Sequence, residues 1–148
     1  MIYRYKLMQN AVTSVAFDFD GVLHTCVHPP DLEGQVHAKF TDPEDLIDCK
    51  NEPMLALLQS IPHDVHIVSN NRTLGETGIR RCLDAWGVLN VKQVHVVPDD
   101  KSEVLKRIHA KEFYDDSTNR LRQVAKGYPD CVLWHVRQDG SPQLFECC

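Results

Sequence analysis

The segment from Val15 to Gly21 constrains the fold most, because it carries two carboxylates at the end of an apolar run. Val15 to Phe19 is typical of a short buried strand, and Gly21 suits the turn that ends such a strand. An unpaired charge is costly to bury, so Asp18 and Asp20 are predicted to lie at the carboxyl end of this strand. In parallel α/β sheets, ligands bind at that edge. For an isolated Asp-x-Asp-Gly a polar turn is the better explanation, so the rest of the chain decides between the two.

The bulk composition indicates one ordinary globular domain covering residues 1–148. Charged residues make up 25% of the chain and the formal net charge is −5, which gives no support to a broad nucleic-acid-binding surface. No apolar run approaches the ~20 residues needed to span a bilayer, and the first residues lack the apolar region of a secretory signal. We therefore predict a cytoplasmic protein with no membrane partner.

Six cysteines and eight histidines are scattered along the chain, with no Cys-x-x-Cys pair and no histidine ladder on one helix face. Free thiols in a reducing compartment are predicted, rather than a disulfide scaffold or a structural zinc site. Nothing in the sequence assigns a role to the adjacent Cys147 and Cys148.

Strands and helices alternate along the sequence. Apolar residues recur at helical spacing in four segments, about residues 52–61, 73–86, 101–110 and 117–126. Short runs ending in polar or turn residues predict five strands, about 15–19, 65–71, 94–97, 113–117 and 131–136. This alternation is typical of an α/β domain with helices on both faces of a parallel sheet. The irregular segment at about 24–48 is longer than a typical connection, and we predict that it forms a short flap or lid over the site.

The other notable polar side chains also fall at strand ends or helix starts. Ser69 and Asn70 follow the second strand, Asp115 and Asp116 follow the fourth, and Lys101 opens the helix after the third. Parallel strands place their carboxyl ends on one edge of a sheet, so these groups are predicted to surround one crevice with the first two aspartates. Clustered carboxylates repel one another, and a hard divalent cation such as Mg²⁺ relieves that repulsion.

This mixture of groups suits phosphoryl chemistry. A carboxylate can act as a nucleophile on phosphorus, and a second acid two residues away can protonate the leaving oxygen and then activate water. A lysine and a hydroxyl near helix N-termini can hold the phosphoryl oxygens.

Four segments together resemble the motifs of haloacid dehalogenase-like phosphohydrolases. The first motif is similar to Asp18-Phe19-Asp20-Gly21-Val22-Leu23, and the second to Ile67-Val68-Ser69-Asn70. The lysine of the third motif corresponds to Lys101, fourteen residues before Asp115, and the fourth motif to Phe113-Tyr114-Asp115-Asp116-Ser117. The four occur in the order of the family and cover about residues 14–136, which makes the combination far more specific than any one of them.

The resemblance implies a Mg²⁺-dependent phosphatase with Asp18 as the nucleophile and Asp20 as the general acid/base. It makes Lys101 a catalytic and phosphate-binding ammonium and Ser69 a phosphate-binding hydroxyl. Asn70, directly after Ser69, is a further phosphate-binding candidate.

The same resemblance implies a metal site built from Asp18, the backbone carbonyl of Asp20, and the acidic pair of the fourth motif. Asp116 is expected to be the direct ligand of that pair, while Asp115 supports either the metal or the lysine. The implied fold is a Rossmann-like three-layer α/β/α sandwich with a mostly parallel five-stranded sheet in the order 5-4-1-2-3.

The chain resembles the capless or minimal-cap members, since only about 25 irregular residues separate Asp20 from the next helix. Open sites of that kind suit macromolecular substrates or are closed by oligomerisation. The substrate alternatives are therefore a phosphoprotein, a nucleic-acid 3′-phosphate end and a small phosphate ester, and a homo-oligomer is a possible assembly.

Three other functions stay open at this point. Dehalogenation would use the same nucleophile but needs neither Asp20 nor an acidic metal pair. A receiver-like phosphoacceptor would use an aspartate after the third strand, where Asp99 and Asp100 stand, but it has no place for Asp115 and Asp116. A non-catalytic phosphate-binding module would keep the same residues without turnover.

Overall fold

The computed structural model describes residues 13–26 and 41–146. Within these ranges the strands are β1 (Ser14–Phe17), β2 (Asp64–Ser69), β3 (Val91–Val96), β4 (Ala110–Asp115), β5 (Val132–Val136) and β6 (Pro142–Leu144). The helices are α1 (Glu52–Ser60), α2 (Gly75–Ala85), α3 (Ser102–Arg107) and α4 (Thr118–Gly127). Two short 3₁₀ helices, Pro43–Asp45 and Ile47–Cys49, precede α1.

All six strands form one sheet in the order β3-β2-β1-β4-β5-β6. The pairs β1–β2, β1–β4, β2–β3 and β4–β5 are parallel, and β6 is antiparallel to β5. The predicted α/β class with a mostly parallel sheet is confirmed. The prediction of five strands in the order 5-4-1-2-3 is wrong for the whole sheet, because β6 extends it beyond β5; read from that edge, the order is β6-β5-β4-β1-β2-β3.

The sixth strand gave no sequence signal for physical reasons. It has three residues, begins with a proline and is exposed along its whole length. It therefore lacks the apolar alternation that marks a half-buried strand, and a proline is tolerated only at an edge position such as this one. The turn before it is closed by the Gly140 N–H, which donates to the Arg137 carbonyl over 2.8 Å.

Successive side chains of β1 point to opposite faces of the sheet, and each face has its own core. Phe17 packs in a cluster that includes buried side chains of α1 and α2. Ala16 packs in a second cluster with buried side chains of α3 and α4. Helices therefore cover both faces, which is compatible with a Rossmann-like fold.

The clearest boundary difference lies between α3 and β4. The helix predicted over about 101–110 ends at Arg107, and His109 adopts a positive φ of 54°. Ala110 already belongs to β4, where it pairs with Ser14 of β1. The Ser14 hydroxyl also donates to the Ile108 carbonyl over 2.8 Å, so contacts with β1 end the helix before its apolar pattern does.

Most of the predicted flap lies outside the described residues, at positions 27–40. On its described flanks, His24 bridges to Lys50, and Asp42 caps the first 3₁₀ helix by accepting from the Glu44 N–H over 3.0 Å. Within residues 13–26 and 41–146, no helix combines the length and apolar character needed to cross a bilayer.

One cysteine pair corrects the prediction of free thiols. Cys26 and Cys49 are joined as a disulfide, with their Cα atoms 5.5 Å apart. Their separation of 23 residues matches no spacing motif, and the fold brings them together because the Thr25 N–H donates to the Cys49 carbonyl over 3.0 Å. Cys82 and Cys131 are free and buried.

Candidate active site

Three carboxylates meet where the two central strands end. Asp18 follows β1 directly, Asp115 is the last residue of β4, and Asp116 comes next in the chain. Each offers an oxygen that lies within 4.8 Å of the oxygens of the other two. The Asp18 N–H donates to the Tyr114 carbonyl over 2.8 Å, so the pairing of β1 with β4 sets their relative position.

Lys101 places an ammonium inside this acid cluster. Its Nζ lies 3.0 Å from Asp18 Oδ1 and 2.9 Å from Asp115 Oδ2. The lysine is only 2% exposed, and its Nζ also lies 5.4 Å above the centre of the Phe113 ring. A buried lysine in this geometry is a fixed cation between two strands rather than a surface charge.

The charges in the cluster do not cancel. Burial and the neighbouring charge of Asp115 raise the pKa of Asp18 well above its usual value, although Lys101 acts in the opposite direction. Burial and Asp115 likewise raise the pKa of Asp116 to about 7. Burial alone would lower the pKa of Lys101, but attraction to Asp18 and Asp115 outweighs it and raises that pKa. Three carboxylates against one ammonium favour the binding of a further cation.

Hard carboxylate oxygens at this spacing fit a divalent cation such as Mg²⁺. Asp115 is already engaged at both oxygens, since Oδ2 contacts Lys101 and Oδ1 accepts from the Ser117 N–H over 2.9 Å. Asp18 and Asp116 are therefore the side chains best placed to ligate a cation, and Asp115 orients the lysine.

The turn after β1 leaves room for Asp116 only because it contains a glycine. Gly21 has a φ of +77°, a conformation that L side chains rarely adopt. A Cβ at this position would lie 2.6 Å from Cγ of Asp116, closer than carbon atoms can approach. The first and fourth motifs thus depend on each other sterically.

Asp20 lies beside this cluster, near enough to contribute to the raised pKa of Asp18. Its Oδ1 lies 2.8 Å from His24 Nε2, and its Oδ2 accepts from Asn71 Nδ2 over 3.0 Å. His24 and Asn71 are not among the site residues predicted from the sequence. Their nearness in sequence to Asp20 and Ser69 was the available signal, but nothing in the sequence shows that both side chains reach one carboxylate.

The two residues predicted to bind phosphate after β2 differ in placement. Ser69 is buried, and its Oγ accepts from the Asn71 N–H over 3.0 Å. Asn70 donates through Nδ2 to the carbonyls of Val97 and Asp99, each over 2.9 Å. Its amide nitrogen thus ties the end of β2 to the loop after β3 and is not directed at the acid cluster.

The acids after β3 have other contacts. Asp99 pairs with Arg120 at 2.5 Å, and its side chain is largely exposed. Asp100 accepts from both the N–H and the hydroxyl of Ser102, over 2.9 and 2.6 Å. Asp99 therefore belongs to a surface ion pair, and Asp100 to the start of α3. Neither belongs to the group of three converging carboxylates.

Comparisons with known proteins give one distant likeness. No family model matches the chain, and no solved structure matches it. A curated relative described as "Uncharacterized protein L684", from Acanthamoeba polyphaga mimivirus, is 26% identical over 129 residues. The aligned part covers 80% of this chain and 25% of the relative, so the chain spans about a quarter of the length of the curated relative that it matches.

Proposed function

We propose that the protein is a Mg²⁺-dependent phosphatase that hydrolyses a phosphate monoester through an aspartyl phosphate on Asp18. The observation that carries the proposal is the buried Asp18–Lys101–Asp115 cluster with Asp116 beside it, at the carboxyl ends of the two central strands. The proposal includes membership of the haloacid dehalogenase-like phosphohydrolases and their Rossmann-like three-layer architecture. The four motifs in order and the helices on both faces of the sheet support that membership.

In the first step, a carboxylate oxygen of Asp18 attacks phosphorus. The new bond joins Asp18 to phosphorus while the bond to the ester oxygen breaks, and the departing oxygen takes a proton from Asp20. Lys101 remains 3.0 Å from Asp18 Oδ1 and offsets the negative charge that gathers as an anionic nucleophile approaches an anionic phosphate.

In the second step, water attacks the phosphorus of the aspartyl phosphate. Asp20, now ionised, accepts a proton from that water, the bond between Asp18 and phosphorus breaks, and phosphate is released. The proton taken from that water restores the protonated Asp20 with which the cycle began.

Mg²⁺, when bound, supplies charge neutralisation for the carboxylates and the phosphoryl oxygens. Asp18 and Asp116 would hold it by their side chains, with the backbone carbonyl of Asp20 as the further ligand that the motif implies. Asp115 keeps Lys101 in place, and the buried Ser69 hydroxyl at the same sheet edge is the proposed contact for a phosphoryl oxygen.

The test is hydrolysis of p-nitrophenyl phosphate with Mg²⁺, with EDTA, and by the isosteric variant Asp18→Asn. We expect EDTA to abolish turnover and the substitution to lower it roughly 1,000-fold or more. Asp64→Asn is the matched control, because Asp64 begins β2 at the opposite edge of the sheet and pairs with the exposed Lys92. Turnover that survives in Asp18→Asn, or that is indifferent to EDTA, would overturn the proposal.

The substrate belongs to one of the three classes inferred from the capless resemblance: a phosphoprotein, a nucleic-acid 3′-phosphate end or a small phosphate ester. A screen of one representative of each class, by release of inorganic phosphate, ranks them by kcat/KM. Sedimentation in the same buffer tests whether the active species is a homo-oligomer.

A further inference from the structure

The carboxylate of Asp20 is held at both oxygens by side chains from two different parts of the chain. His24, in the segment after β1, approaches Oδ1 with its Nε2 at 2.8 Å. Asn71, in the loop after β2, donates from Nδ2 to Oδ2 over 3.0 Å. Two hydrogen bonds on opposite oxygens fix the plane of a carboxylate as well as its position.

The contacts around the His24 ring decide its tautomer. The Cys26 N–H donates to Nδ1 over 3.2 Å, so Nδ1 is the acceptor and the ring proton is on Nε2, facing Asp20. The ring is 1% exposed, and its centre lies 5.2 Å from that of Phe19 in an edge contact. His24 is therefore a donor fixed in the scaffold.

Asn71 is equally well fixed. Its Oδ1 accepts from the Leu74 N–H over 2.9 Å, and its own N–H donates to Ser69 Oγ over 3.0 Å. Because the Leu74 N–H requires an oxygen, the side-chain nitrogen must face Asp20. The residue is fully buried, so water does not compete for this contact.

We propose that His24 and Asn71 are positioning residues that aim the Asp20 carboxyl group at the leaving oxygen and then at the attacking water. This inference rests on the proposed function, because both residues act through Asp20. Each carboxylate oxygen keeps a second lone-pair position, on which the transferred proton is carried. Proton transfer needs hydrogen-bond reach and alignment, so a carboxyl group released from either donor transfers its proton more slowly.

The experiment compares kcat/KM for two phosphate monoesters in each variant. p-Nitrophenyl phosphate releases a stabilised phenolate that needs no proton, whereas glycerol 2-phosphate releases an alkoxide that does. In His24→Leu we expect kcat/KM to fall about 100-fold for glycerol 2-phosphate and less than about 10-fold for p-nitrophenyl phosphate. His24→Gln, which keeps an N–H donor, should restore most of the lost rate for glycerol 2-phosphate.

Asn71→Asp tests the contact with the other carboxylate oxygen of Asp20 independently. It keeps the acceptor for the Leu74 N–H but replaces the donor to Asp20 with a second carboxylate, so we expect the same selective loss. Both esters are measured on one preparation, so the ratio of their kcat/KM values does not depend on the fraction of folded protein.

The outcomes separate this inference from the proposed function. A wild-type ratio in both His24→Leu and Asn71→Asp, or an equal loss for both esters, overturns the positioning role while the phosphatase proposal stands. Wild-type protein that hydrolyses neither ester, or turnover that persists in Asp18→Asn, overturns the proposed function itself.

Discussion

At the scale of single residues, Lys101 shows how the acid cluster is balanced. Its ammonium lies about 3 Å from two buried carboxylates, and removing one member of a buried ion group leaves charge uncompensated. We predict that Lys101→Met lowers the free energy of unfolding, measured by urea denaturation without divalent cations, by about 3–5 kcal/mol. Lys92→Met is the control, since its pair with Asp64 has the same 2.9 Å length but a 59% exposed lysine, and it should cost less than about 1 kcal/mol. Similar losses in the two variants would contradict this account.

The steric dependence of Asp116 on Gly21 gives a second prediction. Gly21→Ala places a methyl group against the Asp116 carboxylate, so that carboxylate must move. We expect Mg²⁺ affinity, measured by calorimetric titration, to fall about 10–100-fold, as it does when metal ligands lose their support.

Gly75→Ala is the matched control for backbone strain. Gly75 has a similar φ of +68°, but a Cβ there meets nothing within 4 Å. It should lose stability without losing Mg²⁺ affinity, and an unchanged affinity in Gly21→Ala would show that Asp116 does not ligate the cation.

The sequence was informative about these residues to different degrees. A carboxylate at the end of an apolar run has to lie at the sheet edge, so the convergence of Asp18 with Asp115 follows from strand pattern and parallel pairing. The contacts of Asn70, His24 and Asn71 cannot be inferred from the strand pattern, because they depend on which atoms the folded loops place opposite each side chain. Asn70 illustrates this, since its amide bonds the carbonyls of the neighbouring loop.

At the scale of elements, β2 and β3 share a buried pair of imidazoles. His66 Nδ1 and His95 Nε2 lie 2.9 Å apart. Burial lowers the pKa of both, from 6.5 to about 4 for His95. The imidazoles of the unfolded chain therefore bind protons at a higher pH than those of the native state. The stability that the neutral histidine pair gives the native state is complete above pH 6.5 and is lost as the pH falls toward 4.

We predict that the stability difference between the wild type and His95→Gln shrinks as the pH falls from 7 to 5, by on the order of 2 kcal/mol. Urea denaturation at several pH values measures it. His63→Gln removes an exposed histidine just before β2 and should leave the pH dependence unchanged. A constant difference between the wild type and His95→Gln would show that the pair does not resist protonation.

The disulfide is a second tie between elements. It joins Cys26, after β1, to Cys49 at the end of the second 3₁₀ helix, across a separation of 23 residues. A cross-link that closes a loop of this size stabilises the native state by about 3 kcal/mol, because it lowers the entropy of the unfolded chain. The double variant Cys26→Ser/Cys49→Ser should therefore unfold at a lower urea concentration. Reductant should destabilise the wild type by a similar amount and leave the double variant unchanged. If reductant has no effect on wild-type stability, the two thiols are not joined in solution.

Elements were predictable where they bury a face. Helices α1, α2 and α4 and the inner strands β1 and β2 carry apolar residues at the spacing that buries one face of a helix or a whole short strand. The edge strand β6 and the boundary between α3 and β4 were not predictable, because partner strands determine both. A pattern within one segment does not reveal the pairing of Ser14 with Ala110 that begins β4.

At the scale of the whole molecule, the order of the strands in the sheet brings the residues of the candidate site together. β1 and β4 are far apart in sequence but adjacent in the sheet, so their carboxyl ends place Asp18 beside Asp115, and β2 places Asn71 within reach of Asp20. The parallel arrangement was predictable from alternating elements, whereas the sixth strand needed the structure. The cytoplasmic location and the homo-oligomer inferred from sequence remain predictions.

In the proposed mechanism Asp18 becomes phosphorylated during turnover, and mass spectrometry of acid-quenched protein detects that phosphoryl group. The protein is mixed with Mg²⁺ and p-nitrophenyl phosphate or acetyl phosphate, quenched during turnover, and digested. We expect one added phosphoryl group on the peptide containing Asp18, and none in Asp18→Asn. A phosphoryl group on Asp99 or Asp100 would indicate a receiver-like phosphoacceptor, and turnover without any phosphorylated aspartate would contradict the covalent mechanism.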